Sequence, residues 1–594
     1  MVPGRVIPHM QCKTGITRAV YLSDMRTTPL PPVFSLILFL FAVSLLCSAP
    51  ATAAFTISEV CPDTWYKGEG DEYLVITGTG SLTGLSITDG EGSARFPDGD
   101  RADGTVVVAQ RADAYCTVHG EYPAYEWYDS TPAVPDLIRT GTLKLGNKGD
   151  EVILLKGSTE LCRVTWPEDV VCREGQVHYQ EDGVWDPRPL MIGQSRFAPA
   201  TFTGVSGTVF AAPDVSREVL EEAIAIAETE LLINVYEFAD PGIAEDITAT
   251  LDDGVTVTVL LEGGPVGGIS AEEKGVAATL RERGAAVYTM ETTDDAHARY
   301  RYDHAKYLIA DRKAVLVVSE NFKESGFPEQ GETGNRGWGV LITDPAVADY
   351  FAEVFIADCS GGDCVPFAPS GILPDETPGD AYHPEFGTQP FSGATVTPVL
   401  APDTAFLIPG MIDGAAHSVD IQQAYISNWT KNTPNPYLEA AVDAARRGVT
   451  VRILLDSYWF NTEGENDNDE MAARINAVAE TEGLPLEARL ARLGPGYPEK
   501  VHNKGVIVDG DTVLISSVNW NENSPSFNRE AGVIIENPEA GTYFSAVFAT
   551  DWDDASALAD DDGDNGRDTR LRQEVAAGIV GLFCIGYIIR RCRR

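Results

Sequence analysis

The stretch that decides the fold is DHAKYLIADRKAVLVVSENF, Asp303–Phe322, together with its near-copy VHNKGVIVDGDTVLISSVNW, Val501–Trp520. The two align without a gap: His304 falls on His502, Lys306 on Lys504, Asp311 on Asp509, Ser319 on Ser517 and Asn321 on Asn519. Both read as two short apolar strands. On a strand, residues i and i+2 share a face, so His and Lys of each copy point to one side and the Asp falls at the following turn. Ser and Asn of the next strand again share a face. The chain has only 8 histidines, so two chance matches at equivalent places of a repeat are not expected. His119, His178 and His383 lack such company and read as core or surface residues.

The repeat extends outward. GNRGWGVLI (334–342) aligns with FNREAGVII (527–535), and YFAEVFIADC (350–359) with YFSAVFATDW (543–552). Before each motif, helical periods alternate with strands, as in VSREVLEEAIAIAETE then LLINVYEF, and PYLEAAVDAARRG then VRILLDSYWF. Such alternation predicts mostly parallel sheets with helices on both faces. Two tandem α/β domains are expected over 200–365 and 395–555, joined by the Pro/Gly-rich stretch APSGILPDETPGD.

H-x-K-x4-D-x6-G-S-x-N, present twice, resembles the phospholipase D superfamily, although the Gly is Val318 in one copy and Ser516 in the other. The resemblance implies one site built from both copies. His304 and His502 would be the catalytic pair, with Lys306 and Lys504 neutralising a phosphodiester. Asn321, Asn519, Ser319 and Ser517 would bind its oxygens, and Asp311 and Asp509 would close the turns. One imidazole would attack phosphorus to give a phosphohistidine and the other would protonate the leaving alkoxide. No metal or cofactor is implied, because the lysines supply the positive charge. In the family a Glu in the Asn-Arg-Glu motif orients a catalytic His. The second copy has it in Glu530, which favours His502 as nucleophile, whereas family habit favours the first His. The first copy has Gly337 instead, and Glu332 in a nearby loop is the candidate substitute.

The 594 residues carry 89 Asp+Glu against 44 Lys+Arg, a net charge of -45. This disfavours polyanionic partners at low salt. It also resembles the acidic, lysine-poor surfaces of proteins from extreme halophiles. Residues 1–54 contain the apolar run Val33–Leu46 followed by CSAPATAA, a signal-peptide pattern whose start is Met1 or Met25. Residues 573–590 contain the apolar run Val575–Ile589 before RRCRR, which reads as a membrane anchor behind an acidic linker at 556–572. Together they predict a single-pass cell-membrane protein with its catalytic domains outside. Cys61, Cys116, Cys162, Cys172, Cys359 and Cys364 then form an even set compatible with disulfides. Residues 55–165 read as all-β. FTISEVCPD, EYLVI and LGNKGDEVILL in that region resemble the lamin-tail family, an immunoglobulin-like sandwich that implies binding or spacing.

The expected function is phosphodiester hydrolysis, with phospholipid favoured by export, the anchor, and the aromatic residues Phe322, Trp520 and Trp338 beside the motifs. An extracellular endonuclease with nucleic acid as partner, a cardiolipin synthase-like transphosphatidylase and a non-catalytic surface-binding protein are the alternatives.

Overall fold

In the computed structural model, residues 55–561 are described apart from 172, 182–183, 187, 295, 430–433 and 464–466. The two motif copies lie in one continuous sheet of fifteen strands. The first half contributes β1 (Phe202–Ala212), β2 (Glu230–Val235), β3 (Thr256–Glu262), β4 (Ala286–Met290), β5 (Lys306–Ala310), β6 (Ala314–Val318), β7 (Gly337–Ile342) and β8 (Cys364–Pro366). The second contributes β9 (Gln389–Ala401), β10 (Ser418–Gln423), β11 (Thr450–Leu455), β12 (Leu486–Leu490), β13 (Lys504–Val508), β14 (Thr512–Ser516) and β15 (Glu530–Glu536). Their spatial order is β8-β4-β3-β2-β5-β6-β7-β1-β9-β15-β14-β13-β10-β11-β12. The halves are mirrored in order about β1 and β9, which pair antiparallel.

The expectation of mostly parallel sheets is corrected. Only β2/β3, β3/β4, β10/β11 and β11/β12 pair in parallel; the other pairings are antiparallel. The reason lies in the motif. Asp311-Arg312-Lys313 and Asp509-Gly510-Asp511 are three-residue connections, and only antiparallel neighbours can be joined that tightly. Asp311, Arg312 and Asp509 have φ of 51°, 52° and 52°, and Gly510 75°. The left-handed region is open to Asp and Gly at small cost.

Strands β5, β6 and β13 are buried at every position, which explains their unbroken apolar runs. One face of the sheet is covered by α1 (Pro345–Cys359) and α2 (Pro538–Asp561). There Phe351, Phe355, Phe544 and Phe548 join residues of both halves in a shared core. The opposite face has a separate core in each half, beneath the helices 216–282 and 436–482. Asp344 caps α1, accepting from Ala346 N and Val347 N ahead of a proline at the first turn.

The N-terminal region forms a six-stranded and a five-stranded sheet. Ile57 and Leu74 of the first and Ile87 and Leu154 of the second share one core. A short helix, Ala112–His119, interrupts it, and pairing continues out to Trp185. The region packs on the two α/β halves: the Trp65 and His297 rings stack at 3.9 Å, and the Arg173 guanidinium lies 4.5 Å from the Phe527 ring centroid.

Three further expectations meet the structure here. No helix among the described residues is long and apolar enough to cross a membrane, which overturns the reading as a single-pass membrane protein with a C-terminal transmembrane helix. The segments on which that reading rested, 1–54 and 573–590, lie outside the described residues, and the acidic stretch from 556 begins within α2. Cys116, Cys162, Cys359 and Cys364 are in no disulfide among the described residues, with Cys359 and Cys364 close enough to hydrogen-bond each other, and Cys172 of the expected set lies outside the described residues.

Candidate active site

The motif residues meet at the ends of β2 and β10. Val235 pairs with Lys306, and Gln423 with Lys504. Each HxK segment therefore enters the sheet at the carboxyl ends of the parallel strands, the edge where α/β sheets commonly receive ligands. Carboxylates at the ends of β3 and β11 hold the entry: Glu262 accepts from Asp303 N at 2.6 Å, and Asp456 from Val501 N at 2.7 Å.

The two halves complete each other. His304 donates its backbone N–H to Arg529 O (2.8 Å), and His502 to Arg336 O (2.9 Å). The rings cross over in the same way. His304 Nδ1 lies 2.7 Å from Glu530 Oε2, and His502 Nδ1 lies 3.2 Å from Glu320 Oε2. Nδ1–H of each imidazole thus donates to a carboxylate of the opposite half, leaving Nε2 for chemistry. Two sequence expectations are corrected here. Glu530 serves His304, not His502. Glu332 plays no part, since its carboxylate accepts from Gly379 N in a loop away from the motifs. Glu320, in the variable position between Ser319 and Asn321, was missed. A buried acid at that position, in a copy that lacks the Glu of its Asn-Arg-Glu motif, was the available signal.

Lys306 and Lys504 are fully buried. Lys306 Nζ donates to His304 O at 2.7 Å, and Lys504 Nζ to His502 O. Burial drives the Lys306 ammonium down to about 8, with Glu530, Glu320 and Glu237 pulling it back up, and drives Lys504 well below the usual range. Burial likewise lowers both imidazoles. For His304, Glu530 opposes the shift; for His502, the Lys504 charge adds to it. The site can therefore hold neutral imidazole at neutral pH, and a bound anion would restore charge to the lysines. Tyr236 stands edge-on to His304 at 4.8 Å between ring centroids.

The serines face inward. Ser517 Oγ donates to Glu530 Oε2 (2.6 Å), and Ser319 Oγ to Glu320 Oε1 (3.2 Å). Asn321 gives its Nδ2–H to Glu237 at 2.9 Å, and the Oδ1 atoms of both Asn321 and Asn519 are buried without a hydrogen bond. Asp311 and Asp509 lie at the far ends of their strands. Asp509 accepts from Ala416, His417 and Ser418 N, and Asp311 from Glu228, Thr229 and Glu230 N. For both, burial opposes ionisation but the hydrogen bonds outweigh it, and the carboxyls sit below the usual range.

Phe322, Trp520 and Trp338 are buried at 0%, 0% and 1% exposure, so they form core and do not line an opening. Exposed apolar side chains lie on neighbouring loops instead. On the loop after β3, Val266 is 73% exposed, and its N–H donates to Tyr236 OH. On the loop after β11, Trp459 and Phe460 are 48% and 70% exposed. Asn461 ties that loop to Asp456 at 2.8 Å.

A family model described as cardiolipin synthase, PLD-like domain matches residues 220–359 and 408–552. Among solved structures, the phosphatidylserine synthase of Haemophilus influenzae Rd KW20 is 15% identical, covering 57% of this chain and 84% of its own, with a TM-score of 0.43. The phospholipase D family member Nuc from Salmonella typhimurium is 20% identical over 29% of this chain and 99% of its own, TM-score 0.23. NucT from Helicobacter pylori is 19% identical over 27% and 97%, TM-score 0.22. No curated protein matches the chain.

Proposed function

The chain carries two tandem phospholipase D-like domains, and from that premise we propose that it is a phosphodiesterase acting on phospholipids through a phosphohistidine. The observation that carries this reading is the reciprocal pair of histidine–carboxylate contacts, each drawn from both halves. Nε2 of one imidazole attacks phosphorus, and the P–O bond to the leaving alcohol breaks. The other, protonated, imidazole gives its proton to that oxygen. Water then attacks the phosphohistidine and loses a proton to the second imidazole. The P–N bond breaks, releasing a phosphomonoester. Lys306 and Lys504 neutralise the non-bridging oxygens in a site shielded from water, where such charges act strongly.

Two features support lipid over nucleic acid. Val266, Trp459 and Phe460 are exposed on the loops after β3 and β11, whose end residues Glu262 and Asp456 hold the motif segments, and exposed apolar side chains there suit a membrane interface where Trp sits well. A net charge of -45 opposes a polyanion.

The test compares the chain and its His304→Ala and His502→Ala variants on phosphatidylcholine vesicles, with and without a primary alcohol, and on oligonucleotides. Each single variant is expected to lose turnover almost completely. The double variant should be no worse, because groups acting as a unit are non-additive. Retention of about half the activity in each single variant, as two separate sites would give, overturns the shared site. Turnover of oligonucleotides alone overturns the lipid assignment, and transfer to the alcohol would make the enzyme a transferase.

A further inference from the structure

The strands that carry the two carboxylates superpose in their hydrogen bonding. Ser319 N donates to Trp338 O and Ser517 N to Ala531 O. In return Trp338 N donates to Ser319 Oγ and Ala531 N to Ser517 Oγ, at 3.1 and 3.0 Å. Glu530, the first residue of β15, therefore corresponds to Gly337, the first of β7, and Glu320 corresponds to Val518. The two carboxylates nevertheless occupy the same cradle. Glu320 is held by Ser319, Asn335 and His502; Glu530 is held by Ser517, Asn528 and His304, with Ser524 added. Gly337 leaves the room: a Cβ on it would overlap Glu320 Oε1 and crowd Ser319 Oγ. In the other half, Val518 is buried in an apolar core.

We infer that the first half has moved its histidine-orienting carboxylate from the start of β7 to the turn just after β6, so that Glu320 is the positioning residue for His502 and Gly337 is its obligatory complement. The acid changes strand but keeps its place in space. Glu320 and Gly337 thus form a coupled pair, in which a change at either requires a change at the other. The same cradle can be rebuilt in the arrangement of the second half by Glu320→Val with Gly337→Glu.

The inference rests on the phosphodiesterase reading only for its kinetic readout. Glu320→Val is expected to lower kcat on the order of 10²–10⁴-fold, the scale seen when an imidazole loses its orienting carboxylate. Gly337→Glu alone, with two acids in one cradle, should also be poorly active or poorly folded. The double variant E320V/G337E should recover most of the loss. Glu320→Gln, which keeps the volume, should leave the fold intact, lower kcat and shift the His502 titration, followed by NMR, to lower pH, because the carboxylate that favours imidazolium is gone. A folded double variant no better than E320V overturns the exchange. An unchanged His502 titration in E320Q overturns the positioning role, whether or not a substrate has been found. Absence of turnover in the unmodified chain, with the His502 shift present, counts against the functional reading alone.

Discussion

Lys306 sets the behaviour of the site on its alkaline side. A solvent-exposed lysine titrates near 10.4; burial brings this ammonium to about 8. The charged form is the one that neutralises a phosphodiester, so function depending on it is present below that value and lost as pH rises through it. For the free enzyme, kcat/KM on a soluble phosphodiester should therefore fall on an alkaline limb with an apparent midpoint near 8. A limb near 10 would mean that Lys306 is not the group that matters. On the acid side, burial lowers both imidazoles, so neutral imidazole persists below the usual histidine range. At this scale the motif spacing was informative: His, Lys, Asn and Asp could be named, because i and i+2 on a strand share a face. What spacing did not carry was which partner each side chain would find. Ser319 and Ser517 turn to carboxylates, and Asn321 gives its donor to Glu237.

Elements lock the halves through two buried arginines. Arg529 binds Asp403 (2.9 Å) in its own half and Asp358 (2.8 Å) from α1 of the other. Arg336 binds Asp214 (2.6 Å) in its own half and Asp551 (3.0 Å) from α2. These same arginines offer the carbonyls that hold the backbone of His304 and His502. Removing one partner of a buried pair leaves an uncompensated charge, at a cost of about 3–5 kcal/mol. Asp358→Ala and Asp551→Ala should each lower stability by that amount in denaturant unfolding, and each should reduce kcat, Asp358→Ala by loosening His304 and Asp551→Ala by loosening His502. A stability loss below about 1 kcal/mol would show that the pairs are not the clasp described. The mixed sheet also belongs to this scale. The alternation of helix and strand was legible, but the three-residue turns after β5 and β13 outweigh it and force antiparallel hairpins between otherwise parallel units.

At the scale of the molecule, the two halves form one sheet with the candidate site on their seam. β1 and β9 pair across the halves, and a single core on one face draws on both. Each imidazole takes its carboxylate from the opposite half, so neither half expressed alone should have measurable turnover. The connection between β8 and β9 is a different matter: Ile372 within it is 89% exposed. A single backbone cut between Ile372 and Pro374 should leave the halves associated in gel filtration and active within about twofold, since a nick in an exposed segment removes few contacts. Dissociation with loss of activity on such a cut would mean that covalent connection, and not the seam, holds the site.

By itself the sequence determined that the chain contains a duplicated α/β unit, that His304, Lys306, His502 and Lys504 stand at matching places of the repeat, and that a β-rich region precedes it. These follow from periodicity, spacing and repetition, which are local properties of the chain. Only the tertiary structure decided that the carboxylates cross between halves, that Glu320 stands where Gly337 leaves room, that Phe322, Trp338 and Trp520 are core, and that Val266, Trp459 and Phe460 face outward. Each of these depends on which elements become neighbours, and the crossing carboxylates lie 226 and 182 residues from their histidines: burial and pairing across the seam are set by contacts that no local pattern encodes.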